Sequence, residues 1–196
     1  MESIRKLCIA GIVLKSGNLI IKTDIDKSIQ TYLRSVDLSD ATMIFKNDET
    51  KLAQFKSIKL SNMNGLIGNK YHQNEKICIE LSVIFKENLH SCMTAISIIS
   101  EQGVPIFTTT DWDFDPTDRF FKREKGITNY KIIIPNNFLF PGRYFIRLGL
   151  GISGHHKYDQ VPYSINFEID HEGSIMSELS DQRIGVITPI IEWFNN

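Results

Sequence analysis

Residues 75–85, "EKICIELSVIF", constrain this fold more than any other stretch. Ile77, Ile79, Leu81, Val83 and Phe85 fall on one parity, and Cys78, Glu80 and Ser82 on the other. A side-chain period of two belongs to a strand with one face buried, and a slip of one residue would turn the whole apolar set into water. The pattern recurs in "VPYSINFEI", with Val161, Tyr163, Ile165, Phe167 and Ile169 inward and Ser164, Asn166 and Glu168 outward. In "RYFIRLGLGI", Tyr144, Ile146, Leu148 and Leu150 share one face, and Phe145, Arg147 and Gly149 the other. Further strands are predicted near 52–61, 91–100, 104–109, 127–134 and 184–193. Turn residues separate them, as at Asn62-Met63-Asn64-Gly65 and Pro141-Gly142. Seven to eight strands with no long helix between them predict a mainly β chain built as an antiparallel sandwich.

The first 34 residues break this period. Ile4, Leu7 and Cys8 lie three and four apart, as on one side of a helix end. "GIVLKSGNLIIK" reads as a hairpin turning at Lys15-Ser16-Gly17-Asn18. In "TDIDKSIQTYLRS", Thr23 or Asp24 can cap a helix, and Ile25, Ile29, Tyr32 and Leu33 form one stripe. The predicted organisation is a small α/β appendage over 1–34, a polar linker over 35–50 and the sandwich over 51–196. Helix, hairpin and helix are too few to hold a core, so the appendage is expected to pack on the sandwich or on a partner. Arg5 and Lys6 ahead of the apolar run Leu7–Leu14 resemble an export signal only superficially. The run is short, Glu2 sits among the leading charges, and no small-residue cleavage site follows.

Other classes are bounded by composition. The 196 residues carry a formal net charge of −1, with both signs dispersed, which leaves no basic footprint for nucleic acid. No segment approaches the roughly 20 apolar residues of a membrane-spanning helix. Cys8, Cys78 and Cys92 are odd in number and fit no zinc module, so reduced thiols in a reducing compartment are expected. A phosphate-binding loop is absent: "GLIGNKY" has the wrong spacing and no hydroxyl after its lysine. Neither a G-x-S-x-G elbow nor an H-E-x-x-H motif occurs. The reading is therefore a non-enzymatic chain with no cofactor and no resident metal.

Three places still carry possible chemistry. In "DWDFDPTD", Asp111, Asp113 and Asp115 sit at positions one, three and five of a calcium loop. Position six is Pro116 instead of Gly and position twelve is Lys122 instead of Glu, so a solvated acidic loop is the better reading. Trp112 inside it is either a strand-end core residue or a flat face for a sugar or a partner. His155, His156 and Tyr158 follow Gly151-Ile152-Ser153-Gly154 and read as an exposed loop. Finally, strand parity places Glu80, Phe145, Arg147, Ser164 and Asn166 outward. Together they would make a polar surface with an aromatic element, the chemistry that grips sugar hydroxyls and packs on their C–H faces.

"YKIIIPNNFLFPGRYFIRLGLGI" also carries a resemblance. Ile134-Pro135, Leu139, Pro141-Gly142 and Tyr144 are similar to the strand, turn and strand of the C-terminal domain of Wzt-type ATPase subunits, which serve ABC transporters exporting O-antigen polysaccharide. "SINFEI", Gly185-Val186 and Trp193 continue the pattern, so the resemblance covers residues 51–196. The opening 34 residues resemble the end of an ABC ATPase domain, with Thr23 where that family usually has Gly. The resemblance implies a cytoplasmic carbohydrate-binding module of immunoglobulin-like fold, peripheral to the inner membrane through the exporter. It implies recognition of lipid-linked O-antigen polysaccharide, a transmembrane exporter subunit as partner, and a homodimer with an exchanged C-terminal strand. It supplies no catalytic residues. The candidate glycan contacts, Glu80, Trp112, Phe145, Arg147, Ser164 and Asn166, rest on strand parity and on aromatic character. The alternative is a dimerisation or protein-interaction module that binds no glycan.

Overall fold

A computed structural model describes residues 2–15, 17–35, 40–113, 122–170, 172, 185–188 and 191–194. The appendage comprises α1 (Glu2–Leu7), β1 (Ala10–Lys15), β2 (Asn18–Asp24) and α2 (Ile25–Ser35). Asp24 caps α2: its Oδ1 accepts the Lys27 N–H at 2.9 Å, and Asp26 adds charge to the first turn. That N–H and the Thr23 hydroxyl hold the Asp24 carboxyl below its ordinary pKa. The appendage is tight internally. A Cβ on Gly11 of β1 would stand 2.6 Å from Ser28 Cβ of α2, so glycine lets helix and hairpin touch.

The sandwich is built from β3 (Thr42–Ile44), β4 (Ala53–Ser61), β5 (Lys70–His72), β6 (Ile77–Phe85), β7 (Leu89–His90) and β8 (Met93–Ser100), followed by β9 (Pro105–Thr110), β10 (Lys122–Arg123), β11 (Gly126–Ile134), β12 (Gly142–Ile152), β13 (His156–Val161) and β14 (Asn166–Asp170). One sheet runs β11-β6-β4-β3 and is antiparallel. The other runs β5-β14-β12-β8-β9, with β13 also on β12. β7 and β10 pair separately as a short ribbon.

The predicted β-sandwich is observed, and the period-two residues do what alternation requires. Ile77, Ile79, Leu81, Val83 and Phe85 are all buried between the sheets, as are Tyr144, Ile146, Leu148, Leu150, Ile165, Phe167 and Ile169. Tyr144 stacks on Phe167 with ring centroids 5.5 Å apart, while Tyr71 meets Phe167 edge-on at 6.4 Å. Across the sheets, Lys51 Nζ reaches the buried Asp159 at 2.6 Å, and the other carboxylate oxygen accepts the Phe55 N–H at 2.9 Å.

Several details depart from expectation. The predicted linker over 35–50 contains β3, which pairs with β4. Tyr163, predicted inward, packs with Phe145 on the outer face, because the chain between β13 and β14 crosses there. β5 lies parallel to β14, so one edge of the second sheet is not antiparallel. The strand predicted over 184–193 is reduced, among its described residues, to a single bridge between Leu139 and Ile187. Thr188 holds this segment by donating its N–H to the Phe138 carbonyl at 2.8 Å and accepting from Gln73 Nε2 at 3.0 Å. Beyond it Ile191, Trp193 and Phe194 are exposed, Trp193 to 91%.

β12 is the spine of the second sheet. Its eleven residues pair with β8 along Tyr144–Gly151, with β14 over Gly142–Phe145 and with β13 over Leu148–Ile152.

Candidate functional site

Residues directly opposite in an antiparallel pair point to the same side. The outer face of the second sheet can therefore be read in rows along β12. Asn166, Phe145 and Ile99 form one row, and Arg147, Ser97 and Thr108 the next, with the Ser97 and Thr108 hydroxyls 2.8 Å apart. Gln160, Gly149, Ala95 and Thr110 follow. Lys157, Gly151 and Met93 complete the face.

The last two rows form a groove of about 430 Å³. Its floor is Ala95, Gly149 and Gly151; Met93 stands on one side, and Lys157, Gln160 and the turn 152–155 on the other. The trough exists because two successive outward positions of β12 carry no side chain. At Gly151 the absence is obligatory, since a Cβ there would lie 2.3 Å from the His156 carbonyl oxygen. At Gly149 it is not: the nearest atom to an added Cβ is Ala95 Cβ, at 3.9 Å. The stretch read as an exposed loop is a tight hairpin turn. The His155 N–H donates to the Ile152 carbonyl at 3.0 Å, and Gly154 supplies the left-handed residue at φ 72°. The His156 and Tyr158 rings meet edge-on at 4.6 Å beside it.

The structure separates the predicted site residues. Glu80 faces outward, but from the other sheet, where it pairs with Lys59 at 2.5 Å; it belongs to no common surface with Arg147. Parity assigns a face, not a sheet. Ser164 is fully buried and donates its hydroxyl to the Ile146 carbonyl at 3.0 Å, a structural bond at the place where β12 changes partner. Phe145 and Asn166 lie on the predicted outer face yet are buried, and α2 covers Phe145. Ile29 of α2 packs with Phe145 and Ile99, and Ile25 and Tyr163 complete that small cluster. Leu33, the last residue of the predicted stripe, has its side chain outside the described set.

Arg147 is half-buried between this cluster and the groove. Burial raises the Tyr163 pKa, and the Arg147 guanidinium beside it partly offsets the rise through charge and a hydrogen bond. Trp112 is half-buried just past β9 and outside the groove lining. Three of the six predicted residues hold enclosed nitrogens without a hydrogen-bond partner among the described residues: Trp112 Nε1, Arg147 Nε and Asn166 Nδ2.

The calcium-loop pattern is dismantled by its own side chains. Asp111 turns inward, accepts the Thr94 N–H at 3.0 Å and pairs with Arg123 at 3.1 Å. Burial raises its pKa, against the pull of Thr94 and Arg123. Asp113 instead accepts from the Thr109 and Thr110 hydroxyls at 2.7 and 2.6 Å, which lower its pKa. Asp115 lies outside the described residues. Cys78 and Cys92 are buried free thiols, and burial pushes Cys92 up to about 12. At the parallel edge, His72, Asp170 and Glu172 place ligand-type atoms within 4.8 Å of one another. His72 Nδ1 lies 2.8 Å from Asp170, whose hydrogen bond raises the His72 pKa, so the group is satisfied as an exposed ion pair. No helix among the described residues is long and apolar enough to cross a membrane.

The profile of the Wzt C-terminal domain matches residues 46–181, well over half of the chain. The chain belongs to the Wzt C-terminal domain family. One solved structure, "Crystal structure of the C-terminal domain of wzt", superposes with a TM-score of 0.57 at 12% identity, covering 80% of this chain and 88% of that one. Another, "Crystal structure of putative beta-galactosidase from bacteroides fragilis", gives a TM-score of 0.33 at 13% identity over 63% of this chain and 17% of that one, and carries no argument. Comparison with curated proteins gives no match. Membership of this family supports a role in an ABC transporter. The groove floor was the part missed in the sequence. Its signal was available in "RLGLGI", where Arg147, Gly149 and Gly151 share the outward parity and two of the three lack side chains.

Proposed function

We propose that this chain recognises the lipid-linked O-antigen polysaccharide and couples it to the membrane exporter. The observation that carries the reading is the groove on the outer face of the second sheet. A shallow trough floored by Ala95, Gly149 and Gly151 admits a linear polymer edge-on. Gln160 and Lys157 supply donors and acceptors along it, His156 offers a planar ring, and Arg147 stands in the next outward row beyond Gly149. Weak contacts suffice on a repeating ligand, because two linked sites gain avidity. Arg147 is retained from the predicted set, whereas Glu80 and Ser164 are set aside by their positions.

A homodimer would provide the second site. Ile191, Trp193 and Phe194 are exposed, while among the described residues β9 and β11 each pair on one side. Between those two edges lies an apolar cleft of about 350 Å³ reaching Phe107, Ile132 and Phe138. Exchange of the C-terminal segment into a partner's cleft would bury both. We take residues 1–34 as the end of an ABC ATPase domain and the recognition domain as starting near 41, ahead of the predicted 51, because β3 pairs with β4 and Met43 and Phe45 pack on the core. Through that ATPase the chain would sit at the cytoplasmic side of the inner membrane beside the transmembrane subunit.

Calorimetric titration with oligosaccharides cut from the source cell's own surface polysaccharide tests this. Saturable binding that falls about tenfold in Arg147→Ala is expected, equivalent to one or two lost charge-assisted hydrogen bonds. Absence of saturable binding favours the alternative, a module that only dimerises or docks another protein.

A further inference from the structure

The geometry points to a second glycan subsite, continuous with the groove and closed by α2: Phe145, Asn166 and the Nε side of Arg147, with Ile25 and Ile29 of the helix as its removable lid. The inference rests on the glycan reading of the groove and extends it by one row of side chains.

Three observations carry it. The first is continuity. From Gly151 through Gly149 and Arg147 to Phe145, the outward residues of β12 follow one line, about 6.8 Å per step. The groove lining ends at Gly149 and Ala95; the row of Arg147, Ser97 and Thr108 follows, and beyond it Ile29 of α2 covers Phe145 and Ile99.

The second is the chemistry under the lid. A helix docked for packing alone would be expected on an apolar patch. Here Ile29 covers Phe145 and Ile99, but the row also contains Asn166, 5% exposed, whose Nδ2 has no partner among the described residues. Arg147 Nε beside it is enclosed and likewise unpartnered. Buried donors left unsatisfied are rare and costly, and a ligand that accepts from them recovers that cost. A sugar on this row would accept from Asn166 and Arg147 and lay its C–H face on Phe145, the ring that Ile29 now occupies. Arg143 stands over the same ring at 5.5 Å and borders the row.

The third is that the lid is built to separate. Within the appendage α2 is tight against β1, at Ser28 on Gly11. Against the sandwich, the apolar contact is the small cluster of Ile25, Ile29, Ile99, Phe145 and Tyr163. Beside it runs a cleft of about 590 Å³ lined by Asp24, Asp26, Lys27, Gln30 and Gln102. An apolar plug of this size beside a polar cleft can lift without disturbing either body's core.

The consequence is regulatory. Short oligosaccharides occupy the open groove without moving α2; a chain long enough to reach Phe145 must displace it. Occupancy by long polymer is thereby converted into movement of the appendage. Binding through a lid is weakened by the fraction of time the lid is closed, so opening it strengthens long-chain binding and leaves short-chain binding unchanged.

The test uses the whole chain and a size-graded oligosaccharide series from the source cell's surface polysaccharide. Ile29→Asp removes the plug. Separately, Gln30→Cys with Gln102→Cys in a Cys8→Ser background, joined by a short bis-maleimide, holds the lid down. Expected are about tenfold tighter binding of the longest oligosaccharides by Ile29→Asp, about tenfold weaker binding by the cross-linked protein, and unchanged binding of the shortest in both. Hydrogen exchange at β12 and β14 around Phe145 and Asn166 should rise in Ile29→Asp, which verifies that the lid has left. If long and short oligosaccharides bind all three proteins alike while exchange reports an open lid, the subsite is refuted and the groove stands. If none of the proteins binds any oligosaccharide, the glycan reading itself falls and the subsite with it.

Discussion

Gly149→Leu separates function from fold within the groove. A Cβ at this position meets nothing closer than Ala95 Cβ at 3.9 Å, which is ordinary contact. Position 149 lies inside β12, paired on both sides, and a glycine there costs backbone entropy. Its replacement should return about 0.5–1 kcal/mol. In a chain of this size that corresponds to a melting temperature unchanged or raised by about 1–4 °C. The rest of the leucine side chain rises into the 430 Å³ trough from its floor, on the line a linear glycan would follow. Oligosaccharide binding should fall at least tenfold, about 1.4 kcal/mol. Gly151→Ala is the contrasting variant, because its Cβ would stand 2.3 Å from the His156 carbonyl oxygen and the β12–β13 hairpin must shift to admit it. Its melting temperature should fall. Calorimetric titration and thermal melts of both variants check the pair. A well-folded Gly149→Leu protein that binds as tightly as the parent would remove the groove from the site.

Further outcomes follow from the same structure. Arg123→Met strands Asp111, whose side chain is 7% exposed, and should cost about 3–5 kcal/mol at pH 7 in denaturant unfolding. The Asp111 pKa is already raised by burial, so its contribution favours the folded state below its unfolded value of 3.8 and is lost as pH rises through the folded value. Loss of Arg123 raises it further; the deficit should therefore shrink toward pH 4 by about 1.4 kcal/mol per unit across the titration window, and a pH-independent deficit would refute the pairing. Trp193→Ser with Phe194→Ser should turn a dimer into a monomer in sedimentation, and a parent protein that is itself monomeric at about 100 µM would refute the exchange. Calcium should leave the thermal melt unchanged, since Asp111 and Asp113 are committed to Arg123 and to the two threonine hydroxyls.

Much of the fold was legible because burial between two sheets imposes a strict local rule. Ile77 to Phe85 and Tyr144 to Leu150 could be sorted into inner and outer faces by parity alone, and each inward residue is buried. The appendage was legible for the same kind of reason: Asp24 caps a helix whose stripe includes Ile25 and Ile29. The C-terminal strand was not. Val186, Ile187 and Trp193 have strand chemistry, but a strand needs an edge to pair with, and the described residues of this segment make a single bridge.

The candidate site divides along the same boundary. Parity is a property of one strand, and it put Glu80, Arg147 and Asn166 outward without specifying the sheet or the neighbour above. Strand order then sent Glu80 to the opposite face of the molecule and left Arg147 at the end of the groove. The packing of α2, more than a hundred residues earlier in the chain, put Phe145 under cover. Even the groove combines both levels. The missing side chains of Gly149 and Gly151 are written in the sequence, but they become a trough only because Ala95 of β8 lies opposite Gly149 and the β12–β13 turn closes one side. Local chemistry determined which residues could face water, and long-range pairing decided which of them meet there.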